Sequence, residues 1–251
     1  MSEEEDDDLE QLIALAESGD AEAQNELGTL YALGDSVDQD YKKAMHFYMA
    51  AAEQELDVAQ LNVAGMYARG YGVKKDFTKM IEWLQKAADQ NLAVAHYNLG
   101  TIYVEGSYGV KQDLEKAFNF FMKAAEQGYP YAQYDLALMY QEGEYVEKDY
   151  EEALKWHLKA AENDVADAQY CVATYYACGI GIEEDYQKAF EWCLKAAEQG
   201  HHEAQFHVGL LLTGEYPGIE KNEQEAKKWF IESAKQGNVQ AEERLKEMTL
   251  E

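Results

Sequence analysis

Apolar residues recur along this chain at helical spacing, in short blocks separated by polar turns. In residues 93–103, Ala95, Leu99, Ile102 and Tyr103 fall at i, i+4, i+7 and i+8. That spacing predicts an amphipathic helix with one buried face. Gly100, beside this stripe, has counterparts at Gly28, Ala64, Ala137, Ala173 and Gly209. A small residue there lets two helix backbones approach closely. A glycine-containing loop follows each such block and ends in Asp40, Asp76, Asp113, Asp149, Asp185 or Asn222. Each is a good N-cap, because its side-chain oxygen can accept from orphan backbone N–H groups. A second helix is predicted from there, with an aromatic core column at Phe47, Trp83, Phe120 or Phe121, Trp156, Trp192 and Trp229. Gly128, Gly200 and Gly237 stand where a helix end wants a left-handed residue, and Pro130 suits a first turn.

The two-helix pattern is one unit written repeatedly. An Ala-x-Ala-(Gln/His) signal returns at Ala23, Ala59, Ala95, Ala132, Ala168 and Ala204, in steps of 36 or 37 residues. A weaker seventh copy begins at Ala241. The units run over about 20–56, 57–92, 93–129, 130–165, 166–201 and 202–238. Residues 9–19 read as a lone second helix and 239–251 as a lone first helix with a charged outer face; repeat arrays need such polar caps to stay soluble. The count is fourteen helices. No linker interrupts the period, so residues 9–251 are expected to form one domain, preceded by a disordered acidic tail at 1–8. In the sixth unit the loop glycine, Gly214, comes one place early, which predicts a reshaped loop.

The motif Ala-x-Ala-Gln-x-x-Leu-Gly-x-x-Tyr-x-x-Gly, followed by Val-x-x-Asp-Tyr-x-Lys-Ala-x-x-Trp-x-x-Lys-Ala-Ala-Glu-Gln-Gly, resembles the Sel1-like repeat, a relative of the tetratricopeptide repeat. The match spans residues 9–250. The resemblance implies an all-α fold, a right-handed α/α superhelical solenoid whose first helices line a concave surface. It also implies a non-catalytic adaptor that assembles protein complexes. Some members of the family are secreted bacterial effectors and some are proposed immunity proteins. The cysteine-rich branch carries a disulfide near each junction between units; here those junctions hold alanines such as Ala87, Ala88 and Ala95.

If the first-helix positions are numbered from two residues before the fixed alanine, 3, 7, 10 and 11 form the buried stripe. Positions 2, 5, 6, 9 and 13 then face away from it and toward a groove. The candidate partner-binding residues are Asn62, Tyr97, Asn98, Tyr131, Tyr134, Asp135, Leu138, Tyr170, Thr174, Phe206 and His207. Aromatic rings are favoured at binding hot spots, and amides can hold an extended backbone because each offers both donor and acceptor. The same position-5 aromatics could instead fill the seam between neighbouring first helices.

The chain has 49 acidic and 21 basic residues, for a formal charge of −28. That excludes a basic face for nucleic acid or an anionic membrane. The charge is uneven: the second and third units carry +1 and −1, the fourth and fifth −6 and −4. Acids such as Glu142, Glu144, Glu147, Asp149, Glu151 and Glu152 would be either a solvated face or a docking surface for a basic protein. The alternative functional reading follows from this charge: an immunity or inhibitor protein that neutralises a basic toxin or nuclease. No apolar run approaches the ~18 residues of a membrane span. The acidic start lacks the basic region of a Sec signal, so a cytoplasmic location is expected, with delivery by another secretion route left open. Cys171 and Cys178 lie about 10 Å apart on one helix, so reduced structural thiols are expected for them and for Cys193. No phosphate loop, nucleophile elbow or Cys-x-x-Cys occurs, and His202 and His207 are five apart, off the metal-binding spacing of four. Neither enzyme activity, cofactor nor metal is expected.

Overall fold

A computed structural model describes residues 3–248, and helix accounts for nearly all of the regular structure there. Fourteen helices are present among the described residues, as the repeat arithmetic requires, and no strand. They form two compact units. The first holds α1 (Glu3–Glu17), α2 (Ala21–Leu33), α3 (Tyr41–Glu53), α4 (Asp57–Arg69), α5 (Phe77–Asp89), α6 (Ala93–Glu105) and α7 (Leu114–Glu126). The second holds α8 (Pro130–Glu142), α9 (Tyr150–Glu162), α10 (Ala166–Cys178), α11 (Tyr186–Glu198), α12 (His202–Leu211), α13 (Glu223–Lys235) and α14 (Val239–Glu247). Within each unit every helix packs on its neighbours in sequence, most closely inside the pairs α2/α3, α4/α5, α6/α7, α8/α9, α10/α11 and α12/α13.

Each second helix starts on its predicted cap. Asp40 Oδ1 accepts from the Lys42 and Lys43 N–H groups at 2.9 and 3.1 Å, and Asp149 does the same for Glu151 and Glu152. Asp76, Asp113, Asp185 and Asn222 cap the residue three places on. Gly128, Gly200 and Gly237 all have φ between +86° and +92°, the left-handed region that a side chain resists. α12 has ten residues where the other five first helices have thirteen, so the displaced Gly214 does shorten its helix.

α1 begins at Glu3, within the acidic segment. Met1 and Ser2 lie outside the described residues. The core column of the second helices lies one residue later than expected. Tyr48, Leu84, Phe121, His157, Cys193 and Phe230 are buried, whereas Phe47, Trp83, Phe120, Trp192 and Trp229 are half-buried; only Trp156 of the tryptophans is fully enclosed. The cause is the helical stripe anchored on the buried residues four places earlier, Ala44, Met80, Ala117, Ala153, Ala189 and Ala226. Position i+4 falls under that stripe and i+3 on its flank. The flanking rings carry lysines on their faces, with Lys86, Lys159 and Lys195 Nζ at 3.7, 3.9 and 4.0 Å from the rings of Trp83, Trp156 and Trp192.

The buried column explains the small residue of the first helices. A Cβ on Gly28 would stand 2.8 Å from Tyr48, one on Gly100 2.5 Å from Phe121, and one on Gly209 2.5 Å from Phe230. What enters the space is a ring of the paired helix, not its backbone. Where the plug is the smaller Leu84, His157 or Cys193, the facing position is Ala64, Ala137 or Ala173. Glycine goes with the six-membered ring of Tyr or Phe, and alanine with the smaller Leu, His or Cys, in all six pairs.

A second device links successive pairs. The buried Gln24, Gln169 and Gln205 donate from Nε2 to the carbonyls of Ala16, Ala161 and Ala197, at 3.1–3.2 Å, at the end of the preceding second helix. Gln60 does so to Ala52 at 3.4 Å. Their Oε1 atoms accept from Gln54, Gln90, Gln199 and Gln236 at 2.8–2.9 Å. Each amide thereby adds a second donor to a carbonyl that already accepts a backbone N–H, from Gly19, Glu55, Asp164 or Gly200, and pins the turn between helices.

His157 is a polar plug in a column of otherwise apolar or aromatic side chains. It is wholly enclosed, between the rings of Tyr134 and Tyr175, with Nε2 3.4 Å from Gln141 Oε1 and no partner at Nδ1. Desolvation pushes its pKa down to about 4. His96, in place of the ladder glutamine, is lowered for the same reason.

Gly100→Ala should lower stability by about 1–3 kcal/mol, because the new methyl meets the Phe121 ring. Adding Phe121→Leu recreates the Ala64–Leu84 pairing, so the double variant should recover part of the loss; urea titrations of the two single variants and the double variant read this out. A histidine neutral when folded and protonated when unfolded loses stability as pH falls from about 6.5 toward 4, and for His157 the loss is on the order of 3 kcal/mol. His157→Leu should therefore flatten the fall in urea midpoint between pH 6.5 and 5 relative to wild type. Parallel pH profiles of the two proteins would refute this.

Candidate functional site

The residues expected to face a groove separate into three groups. In the first unit, Asn62, Tyr97 and Asn98 line one open concavity of about 910 Å³, built on α2, α4 and α6 with the loops that follow them. Position 5 supplies Leu61 and Tyr97, position 6 Asn62 and Asn98, and position 9 Gly65 and Thr101. Asn62 Nδ2 donates to Asn25 Oδ1 at 2.9 Å, which ties two adjacent first helices across this wall. Asn98 is half-buried and its side chain makes no hydrogen bond among the described residues. Gly65 leaves the floor open: a Cβ there meets only the Arg69 guanidinium, 3.1 Å away. Tyr97 also packs on Phe121, with ring centroids 5.8 Å apart, so it serves the seam and the wall together.

In the second unit the candidates are engaged with one another. Tyr134 is half-buried, tilts against His157 at 5.6 Å and pairs with Cys171, and burial raises its pKa. Tyr170 stacks on His201 at 4.7 Å, and its hydroxyl lies 3.4 Å from His207 Nδ1. The shorter contact of that nitrogen, 2.8 Å, is with the Glu203 carbonyl. Burial pushes Tyr170 up to about 12. Thr174 hydroxyl is turned back to the Tyr170 carbonyl at 3.0 Å. Asp135 and Leu138 are half-buried, while Tyr131 and His207 are exposed. The aromatics at position 5 of this unit act mainly as seam.

Phe206 is a correction. It is buried at 7% exposure against Phe230, 5.7 Å between centroids, and belongs to the core of the second unit.

The sequence reading passed over Arg69. It occupies position 13, a groove-facing place, and lines the concavity together with the equivalent residues Leu33 and Glu105. The available signal was compositional: the chain has only two arginines, Arg69 and Arg244.

No group of three or more His, Cys, Asp or Glu side chains among the described residues is arranged to hold a metal ion. His201 is a helix cap, its Nδ1 accepting from the Ala204 N–H at 3.1 Å while Nε2 faces Asp167 at 3.3 Å. The acids Glu142, Glu144, Glu147, Asp149 and Glu151 are exposed, and Glu152 pairs with Lys155 at 2.9 Å. No helix among the described residues is long and apolar enough to cross a membrane.

The three cysteines are free thiols. Cys193 is 2% exposed beside the Ala204 carbonyl, and burial pushes it up to about 12; Cys171 rises to about 11 for the same reason. Cys178 is exposed at the end of α10.

With this geometry in place, the chain can be set beside known proteins. The family model described as Sel1 repeat matches six segments, 21–56, 57–92, 93–129, 130–165, 166–201 and 202–238. A Sel1 repeat protein from Oxalobacter formigenes is 34% identical, with 87% of this chain and 89% of that one aligned at a TM-score of 0.78. The antigen c5321, described as protective and present in uropathogenic Escherichia coli strains, displays an SLR fold and is 30% identical; 96% of this chain covers 59% of that one, at a TM-score of 0.71. No curated protein matches the chain.

In a native-state titration with a thiol reagent, Cys178 should react within the first phase and Cys171 and Cys193 only after denaturant is added. A native count above one fast thiol would contradict the burial argument.

Proposed function

The chain belongs to the Sel1 repeat family, whose members are generally non-catalytic protein-interaction scaffolds, and on that premise we propose that it binds an extended protein segment in the concavity of its first unit. The observation that carries this reading is the composition of that concavity. Its floor is opened by Gly65, and its walls offer the amides of Asn62 and Asn98. An extended backbone presents N–H and C=O groups that need partners once they leave water, and an unengaged amide such as Asn98 supplies both kinds. Leu33, Tyr71 and Tyr108 stand exposed on the rim, where they can cover apolar side chains of the segment.

Panning a random twelve-residue peptide display library on the full chain should enrich binders. Gly65→Trp fills the floor without touching the buried stripe and should weaken them at least tenfold, with helical circular dichroism unchanged. Tyr131→Ala, exposed in the second unit, should leave affinity as it was. Enriched peptides indifferent to Gly65→Trp would place binding elsewhere and sink the proposal.

A further inference from the structure

We infer that the segment received by the first unit carries a carboxylate side chain that docks on Arg69 and, about three residues away, a cationic side chain that faces Glu105. This inference rests on the concavity reading above and specifies the chemistry of its ligand.

Arg69 is the last residue of α4 and lies on the concave wall. It is exposed and makes no ion pair or hydrogen bond among the described residues, in a chain with 49 acidic side chains. Of the four other cations of its repeat, Lys75, Lys79 and Lys86 lie over the rings of Phe77, Tyr67 and Trp83, at 5.7, 5.2 and 3.7 Å, and Lys74 does not line the concavity. The Arg69 guanidinium rests over Gly65, where the missing side chain lets it lie along the wall, its Nη1 3.1 Å from the place a Cβ would take. A guanidinium in that setting offers its planar fork of donors to a carboxylate, a geometry that an ammonium group does not provide.

The next first helix repeats the position with the opposite sign. Glu105 ends α6 as Arg69 ends α4, and both line the same concavity, with Asn98 on the wall below Glu105. A carboxylate on Arg69 and a cation on Glu105 must both fit within that one concavity, and at a rise of about 3.3 Å per residue we place the two charges of the extended ligand about three residues apart. A purely basic segment would be opposed at Arg69, and a purely acidic one at Glu105. The site therefore favours a segment of mixed charge, whereas the net charge of −28 by itself would point to a basic partner.

The same twelve-residue library, panned on the wild-type chain and on Arg69→Glu, tests this. Wild type should enrich peptides with Asp or Glu about three places from Lys or Arg. Replacing the acidic residue of such a peptide by its amide should weaken binding by roughly 10- to 100-fold, the range for a charge-assisted hydrogen bond. Arg69→Lys should retain only part of the affinity, and Arg69→Glu should select Lys or Arg where wild type selects an acid. Peptides that bind Arg69→Glu as well as wild type, yet fail on Gly65→Trp, would overturn the charge pairing and leave the concavity standing. Peptides that bind all variants equally, or no enrichment over an unrelated helical protein, would overturn both.

Discussion

Everything else in this structure depends on one contact made six times, the insertion of a second-helix side chain into a gap on the first helix of its pair. Phe121 against Gly100 is the clearest instance, with a ring standing where a Cβ would have to be. The contact fixes how closely each pair packs and which face of each helix is spent on the interior. The remaining faces are then available for capping, for joining pairs and for a partner. Close packing penalises both a void and an excess methyl, so the two positions vary together: glycine opposite Tyr48, Phe121 and Phe230, alanine opposite Leu84, His157 and Cys193.

The glutamine ladder is the polar complement of that apolar contact. The buried Gln24, Gln60, Gln169 and Gln205 donate to carbonyls at the end of the preceding second helix, beside the backbone N–H that already bonds there, and each is in turn held by a glutamine thirty or thirty-one residues later. This explains two fixed features of the repeat at once, the glutamine after Ala-x-Ala and the glutamine that closes the second helix. The third repeat departs from it: His96 takes the ladder position and lies 3.4 Å from Asn91.

The candidate site follows from what these two devices leave free. Once the stripe and the ladder have used their faces of α2, α4 and α6, the exposed columns of those helices form the concavity walls. Asn62 and Tyr97 still bind neighbouring helices there, whereas Asn98 and Arg69 make no hydrogen bond or ion pair among the described residues. The second unit has the same columns, but its aromatics are drawn into contacts with His157, His201 and Cys171, and Phe206 into the core.

Periodicity alone determined the helices, the six units, the asparagine and aspartate caps, the left-handed glycines and the reshaped sixth loop. All of these depend on residues close in sequence, where spacing and backbone preference decide the outcome. The concave columns were legible in part for the same reason: Asn62, Tyr97 and Asn98 line the concavity as the helical wheel placed them. Tertiary packing decided the rest. It shifted the core column from Trp83 and Trp192 to Leu84 and Cys193, because burial depends on which residue meets the gap of the opposing helix, and a large apolar side chain on the flank looks identical in a one-dimensional pattern. It also decided that Phe206 packs inward and that Arg69 stays unpaired among the described residues, since both depend on neighbours more than twenty residues away.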